Sequence, residues 1–144
     1  MRTIHTQIGI ERPAAAVWGI LADIDRWPEW NPFAKARGRL VVGERLEVEI
    51  RPPGQKPMTF RPTVVKLDPG VELRWLGHLG VPGIFDGEHG FRIEPTGPEG
   101  CRFAHFEAFK GVLAGPLLWL AGDATRRGFV AMNEALKARA EGGA

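Results

Sequence analysis

The sequence lacks the features that would place it in several large protein classes. It has a single cysteine, Cys101, among 144 residues, so neither an internal disulfide nor a cysteine-based metal site can form. Its longest nearly apolar run, residues 111–122, is too short to span a bilayer and contains a proline. The first residues carry no apolar segment of the secretory type, so we expect a cytoplasmic protein of bacterial kind.

An excess of charge of either sign is also missing. Nineteen Lys and Arg residues stand against 17 Asp and Glu residues, which gives a formal net charge of +2. Because the two signs are interspersed, there is no basic face, and we expect no nucleic-acid partner. A glycine-rich phosphate loop, a nucleophile elbow and a paired-carboxylate signature are likewise absent, so no cofactor is expected.

Glycine- and proline-containing turns divide the chain into segments, and the spacing of apolar residues differs from one segment to the next. Residues 3–11 alternate like a strand, and residues 13–22 have helical spacing with a proline at the first position. Pro28 and Pro32 confine the segment between them to a single helical turn. Further strands and a long helix are then predicted at 34–42, 45–51, 58–67, 71–79, 85–94, 101–110 and, for the helix, 117–140.

This order of elements predicts one α+β domain over residues 1–144. The strands, about seven in all, are joined by short turns, so the sheet is antiparallel and meandering. Two short helices follow the first strand, and one long C-terminal helix must cover a face of the sheet. A curved sheet wrapped around a single helix need not fill the space between them, so the fold also predicts a cavity.

Three stretches within this order resemble the START/polyketide-cyclase superfamily, whose helix-grip fold is shared with the birch-pollen allergen family. They are WPEWNPF after the first helix, the pair FDGEHGFRIEP and CRFAHFEAFKGVL, and the ending GFVAMNEALKARAE. Together they resemble the bacterial polyketide cyclase/dehydrase and lipid-transport branch. The resemblance implies a scaffold that serves carriers, cyclases, chaperone-binding domains and quinone-binding proteins. It also implies that the aromatic residues of WPEWNPF pack against the long helix at one end of the cavity.

The closing hairpin suggests a register for the candidate site. A tight turn between the last two strands places His89 opposite Glu107 and Phe91 opposite His105, and the preceding turn places Trp75 opposite His89. This row is more apolar than its alternate, so we expect it to face the long helix. Two histidines and a carboxylate would then lie inside an aromatic-lined cavity.

Three hypotheses about function stay open, two from this row and one from the resemblance. The favoured one is that His89, His105 or Glu107 orients the polar end of an apolar ligand, while the three also satisfy one another as buried polar groups. In the second, His89 tuned by Glu107 is a general base for cyclisation or dehydration of a polyketide-like substrate. The third, from the resemblance, is a chaperone-binding type of interaction module with a filled interior and an exposed apolar patch.

A metal site is not expected, because a flat cross-strand row spreads the histidines and the carboxylate instead of converging them on one ion. The expected partner is a small hydrophobic or amphipathic molecule, such as a lipid, an isoprenoid quinone or a polyketide-like aromatic. A transient contact of Arg126 and Arg127 with membrane headgroups stays open, as does the oligomeric state.

We predict ligand contacts for a set of aromatic, apolar and polar residues, of which His89 and Glu107 are also the candidates for catalysis if a reaction occurs. The set is Trp27, Trp30, Trp75, His89, Phe91, Phe103, His105, Glu107, Phe109, Phe129 and Met132.

Overall fold

The computed structural model describes residues 2–142 and has the predicted α+β architecture, with two short helices after the first strand and a long C-terminal helix. Within these residues there are eight strands, one more than the approximate number predicted. The elements are β1 (Arg2–Ile10), α1 (Ala14–Ala22), a 3₁₀ helix (Ile24–Glu29), β2 (Ala34–Arg37), β3 (Glu47–Ile50), β4 (Met58–Phe60), β5 (Thr63–Asp68), β6 (Glu72–His78), β7 (Asp86–Gly97), β8 (Gly100–Lys110) and α2 (Ala114–Glu141).

Two of the predicted strands are interrupted. The strand expected at 34–42 stops before Gly38, whose φ of 123° lies in a region that residues with a side chain rarely adopt. The strand expected at 58–67 is divided between β4 and β5, because Pro62 has no N–H to donate to a ladder.

The long helix begins three residues earlier than predicted, at Ala114. Pro116 lies in its first turn, where backbone N–H groups have no intrahelical partner, so the proline costs no hydrogen bond. Neither this helix nor any other in residues 2–142 has the length and apolarity needed to cross a membrane.

The strands form two antiparallel sheets that meet along one edge. The larger has the order β1-β8-β7-β6-β5, and the smaller has the order β2-β3-β4. Arg45 bridges to Thr63, and Val64 accepts a hydrogen bond from the Gly43 N–H at 2.8 Å and donates one to the Glu44 carbonyl at 2.9 Å. The segment just before β3 is therefore hydrogen-bonded to the start of β5. The two sheets together make one curved surface around α2.

The register of the closing strands is the predicted one. Trp75 pairs with His89, His89 with Glu107, and Phe91 with His105. The predicted inward orientation is also confirmed, since His89 and His105 are buried. The alternate row faces outward at Arg92, Glu94 and Arg102.

The aromatic segment after α1 contacts the long helix through Phe33. A Cβ atom on Gly128 of α2 would lie 2.3 Å from Cδ1 of Phe33, so the ring packs directly on the helix backbone. Phe33 also meets Phe129 edge to face, with ring centroids 5.5 Å apart. The implied packing of this segment against the helix is therefore present at its last aromatic residue.

Trp27 is directed toward the sheet. Its ring is fully buried against Trp75 and Phe91, with centroids 6.2 Å and 6.0 Å away. Its Nε1–H donates to the Leu21 carbonyl at 2.9 Å, which satisfies the one polar atom of the indole. This tryptophan anchors the corner between α1 and the 3₁₀ helix to the core.

Candidate functional site

A cavity of about 250 Å³ lies beneath the N-terminal half of α2 and is bounded by both sheets. Its wall is mainly apolar, with residues from β3, β6, β8 and α2 that include Val48, Ile50, Trp75, Phe109, Leu118 and Ala121. The polar side chains on the wall are His78, His89, Glu107 and Thr125. The cavity thus combines an apolar enclosure with a few polar groups, which is typical of sites for small molecules.

Four of the eleven predicted contact residues line this cavity: Trp75, His89, Glu107 and Phe109. The other seven do not, and their expected position on its wall is corrected. Six of them, Trp27, Phe91, Phe103, His105, Phe129 and Met132, are buried in the packed core, and Trp30 is half-buried against Trp27. Whether any of the eleven contacts a ligand stays a prediction.

The reason for this division is the position of the cavity along α2. In the C-terminal half of the helix, Phe129, Met132 and Leu136 are fully buried in the core, and the ring of Phe33 packs on Gly128. In the N-terminal half, Leu117, Leu118 and Ala121 border the cavity. The cavity therefore opens at the N-terminal end of the helix, away from Phe129 and Met132.

Much of the cavity wall comes from residues outside the predicted set, namely Val48, Ile50, Met58, Phe60, Leu117 and Leu118. The sequence does contain a signal for two of them, because the alternation of apolar and polar residues over 46–50 puts Val48 and Ile50 on one face of a strand. That pattern does not say which other element the face meets. The contact arises only when the smaller sheet folds over α2.

A continuous chain of hydrogen bonds runs from the cavity into the core. Glu107 Oε1 lies 3.2 Å from His89 Nδ1, and His89 Nε2 lies 2.7 Å from His105 Nε2. His105 Nδ1 is 3.0 Å from Asn133 Oδ1, and Asn133 Nδ2 donates to Thr6 Oγ1 at 2.9 Å. Thr6 in turn donates to the His105 carbonyl at 2.9 Å. Residues of β1, β7, β8 and α2 are tied together by this chain.

The far end of the chain determines which ring nitrogens carry protons. Because Thr6 donates its only hydroxyl proton to a carbonyl, it accepts from the Asn133 amide, whose oxygen must then accept from His105 Nδ1–H. A neutral His105 has its lone pair on Nε2, so it accepts the proton of His89 Nε2–H.

One proton is consequently shared between His89 Nδ1 and Glu107. With Nε2 already protonated, either Nδ1 carries a proton and faces a carboxylate, or it accepts from a protonated Glu107. Both arrangements contain a single proton at this contact. The pair is therefore joined by one hydrogen bond at the cavity wall.

The surroundings of His105 keep that ring neutral. Complete burial lowers its pKa well below the ordinary value, and the charge of His89 acts in the same direction. Hydrogen bonds to the Asn133 side chain and the Phe129 backbone oppose this shift only in part. The ring is also stacked on Phe129, with centroids 4.0 Å apart. His105 thus serves as a fixed acceptor for His89.

Glu107 is the member of the chain that a ligand in the cavity would meet. Its side chain is 18% exposed, against 4% for His89. A Cβ atom on Gly87 would lie 2.2 Å from Glu107 Oε2, so the glycine makes room for the carboxylate. Oε1 is engaged by His89, which leaves Oε2 for a hydrogen bond to a bound molecule.

The polar residues are arranged in a line and do not converge on a point. Within residues 2–142, no three His, Cys, Asp or Glu side chains are grouped to hold a metal ion. The arrangement can accept a hydrogen bond from a ligand and can hold or transfer one proton.

A curved antiparallel sheet around a long C-terminal helix, with a cavity beneath that helix, defines a helix-grip protein. The chain matches the model of one such family, described as polyketide cyclase / dehydrase and lipid transport, over residues 1–141, and it belongs to that family. No curated protein matches the chain significantly in sequence.

Solved structures with the same fold include enzymes and a START protein. The Zhui aromatase/cyclase from Streptomyces sp. R1128 is 18% identical, with a TM-score of 0.74 over 97% of this chain and 93% of its own. A START superfamily protein from Mycobacterium smegmatis is 19% identical, with a TM-score of 0.70 over 99% of both chains. The di-domain ARO/CYC protein BexL of the BE-7585A biosynthetic pathway is 18% identical, with a TM-score of 0.73 over 95% of this chain. The chain spans only 47% of BexL. At these identities the likeness establishes the fold alone.

Proposed function

We propose that the protein binds a small amphipathic molecule with one or two aromatic rings in the cavity under α2. The size of the cavity supports this class of ligand. An apolar cavity of about 150 Å³ holds one benzene ring, so the volume of about 250 Å³ suits roughly two fused rings. A lipid or an isoprenoid quinone would have to leave most of its chain outside.

The observation that carries the proposal is the His89–Glu107 pair on the wall of an otherwise apolar cavity. A hydroxyl group on the ligand would donate to Glu107 Oε2, and the rings would lie against Trp75 and Phe109. One such polar contact inside an apolar enclosure fixes the orientation of a ligand without demanding charge on it.

The first experiment is native mass spectrometry of the purified protein, followed by organic extraction of any bound molecule. The second is calorimetric titration with 2-naphthol, which has two fused rings and one hydroxyl group. Ala121→Trp should fill the cavity and weaken binding about tenfold or more, which is the loss of roughly 1.4 kcal/mol of contacts. Ala138→Trp, on an exposed position of the same helix, should bind like the parent protein. Equal binding by both variants, or no bound molecule and no binding of 2-naphthol, would refute the proposal.

A second candidate function, cyclisation or dehydration of a keto-substrate, is favoured by the shared proton of the His89–Glu107 pair. In a dehydration, the pair would accept the proton α to a ketone and return a proton to the departing β-hydroxyl group, which leaves as water. The products are then a conjugated enone and water, and the pair recovers its starting state.

This candidate is tested with an aryl β-hydroxy ketone, whose enone product is followed by its absorbance. Glu107→Gln keeps the shape of the side chain but removes the proton acceptor, so catalysis predicts a loss of about 100-fold or more in rate with affinity nearly unchanged. A protein that only binds would have no turnover to lose, and the substitution would change affinity instead.

A further inference from the structure

Six exposed apolar side chains are gathered at one end of the molecule. They come from the β6–β7 loop, the β8–α2 connection and the first turns of α2, and we call them the apolar rim: Leu79, Val81, Val112, Leu113, Trp119 and Leu120. Exposure reaches 85% for Trp119, 75% for Val112 and 70% for Leu120. Single exposed apolar residues are common on protein surfaces, but a group of this size marks an interaction site.

Backbone hydrogen bonds hold the parts of the rim together. The Val112 N–H donates to the Gly83 carbonyl at 3.1 Å, and the Leu113 N–H donates to the Ile84 carbonyl at 2.9 Å. Helix α2 starts at the next residue, so Trp119 lies about 9 Å along the helix axis from Leu113. The rim is thus one surface built from two segments that are fixed to each other.

The apolar rim borders the cavity. Leu79, from the β6–β7 loop, and Leu120, from α2, are exposed and also line the cavity. Leu117 and Leu118 continue the apolar wall from the rim inward. A molecule that enters or leaves the cavity at this end passes between rim residues.

The two segments that carry the rim have almost no hydrogen-bonding side chains. Residues 79–85 and 111–122 contain no charged residue, and Trp119 supplies their only polar side-chain atom. A specific protein interface has about one hydrogen bond per 100–200 Å², which this surface is poorly equipped to supply. A lipid bilayer requires none, and tryptophan is enriched where a protein meets its headgroup region.

Basic side chains border the rim. Lys110 precedes the second segment, Arg126 and Arg127 follow it on α2, and Arg2 lies beside Gly115. The neighbouring carboxylates are Asp86 and Asp123, which face His78 at 2.7 Å and Arg127 at 3.2 Å. Four cationic groups therefore stand against two carboxylates, and one of the four, Arg127, is the partner of Asp123. This balance complements anionic lipid headgroups.

We propose that the apolar rim docks on an anionic lipid surface, with Trp119 and Leu120 inserted and the mouth of the cavity directed at the bilayer. The cavity then exchanges its ligand with the membrane without passing that ligand through water. Docking belongs to the outer surface and is measured without any cavity ligand, so its failure and that of the proposed binding function are distinguishable.

The test is co-sedimentation of the full chain with vesicles of phosphatidylcholine and phosphatidylglycerol in equal parts, compared with vesicles of phosphatidylcholine alone. We expect clear binding to the mixed vesicles and weaker binding to the neutral ones. Trp119→Ser/Leu120→Ser should weaken binding about tenfold or more. Val42→Ser/Val71→Ser, which changes two exposed valines that do not line the cavity, should bind like the parent.

Tryptophan emission gives an independent readout of insertion. All five tryptophans lie in the part of the chain that the structure describes, and Trp119 is the exposed one among them. Its emission should shift to shorter wavelength when vesicles are added, and the shift should be absent in the double serine variant. Circular dichroism checks that this variant is folded, and Lys110→Gln/Arg126→Gln offers a second route, since it should weaken binding to mixed vesicles alone.

Three outcomes overturn the proposal. The first is that the parent protein does not bind mixed vesicles, and the second is that the double serine variant binds them as well as the parent does. The third is that sedimentation equilibrium shows a dimer that Trp119→Ser/Leu120→Ser dissociates, in which case a second copy of the chain covers the rim.

Discussion

The neutral state of His105 makes folding stability depend on pH near neutrality. Burial and the charge of His89 hold its pKa well below 6.5 in the folded protein, whereas the unfolded chain accepts a proton near that pH. The unfolded state therefore binds more protons below pH 6.5, and the free energy of unfolding decreases as the pH falls through this range. Above it, the full stability is present.

We predict a slope of up to about 1.4 kcal/mol per pH unit below that point, measured by urea denaturation at a series of pH values. His105→Gln cannot take up a proton and should flatten this slope, even if its stability at pH 7 is lower. An unchanged slope in the variant would mean that another group is responsible.

Glu72 makes folding stability depend on pH in a separate, more acidic pH range. Burial alone would raise its pKa, but hydrogen bonds and charge interactions with Arg74 and Lys66 outweigh burial and bring the pKa below 4.5. The carboxylate therefore stabilises the folded state above pH 4.5, and this contribution is lost as the pH falls through the lower folded value.

We predict that Glu72→Gln lowers the free energy of unfolding by about 2 kcal/mol at neutral pH, and that the difference from the parent shrinks in strong acid. The measurement is again urea denaturation. The slope assigned to His105 should be unaffected, so each variant is a control for the other. A constant difference at all pH values would contradict the role of the ionised carboxylate.

At the scale of elements, substitutions at two glycines of α2 distinguish the effect of helix propensity on stability from the effect of side-chain packing. Replacing a helical glycine by alanine normally stabilises a helix by about 1 kcal/mol. Gly122 has ordinary space, since a Cβ atom there would meet Leu118 Cβ at 3.8 Å. At Gly128 the same atom would lie 2.3 Å from the buried ring of Phe33, which cannot move away.

We predict that Gly122→Ala stabilises the protein, whereas Gly128→Ala destabilises it by about 1–3 kcal/mol because of overpacking. Equilibrium denaturation of the two variants measures both signs. Stabilisation by Gly128→Ala would show that the contact between α2 and the segment after the 3₁₀ helix is loose.

On the scale of the whole molecule, the cavity links ligand binding to stability. A ligand that binds only the folded state adds about 2.7 kcal/mol to the free energy of unfolding when its free concentration is 100 times its Kd. We predict this increase with 2-naphthol, measured by urea denaturation, and its loss in Ala121→Trp. An equal increase in that variant would place the ligand outside the cavity.

The order of the elements, the pairing of the closing strands and the inward face of β7 and β8 could be predicted from the sequence. These features depend on local physics. Glycine and proline mark the turns, alternation defines the two faces of a strand, and a tight hairpin turn determines which residues lie opposite. The pairings of His89 with Glu107 and of Phe91 with His105 follow from these rules without any knowledge of the rest of the chain.

The position of the cavity and the polar chain behind it depend on the tertiary structure. Phe129 and Leu118 lie on the same helix and are both apolar, yet only the second borders the cavity. The rings of Phe33, His89 and His105 pack around the first. Thr6 and Asn133 are 127 residues apart and meet through folding alone. Contacts between distant segments are set by how side chains share volume, and no local pattern along the chain encodes that competition.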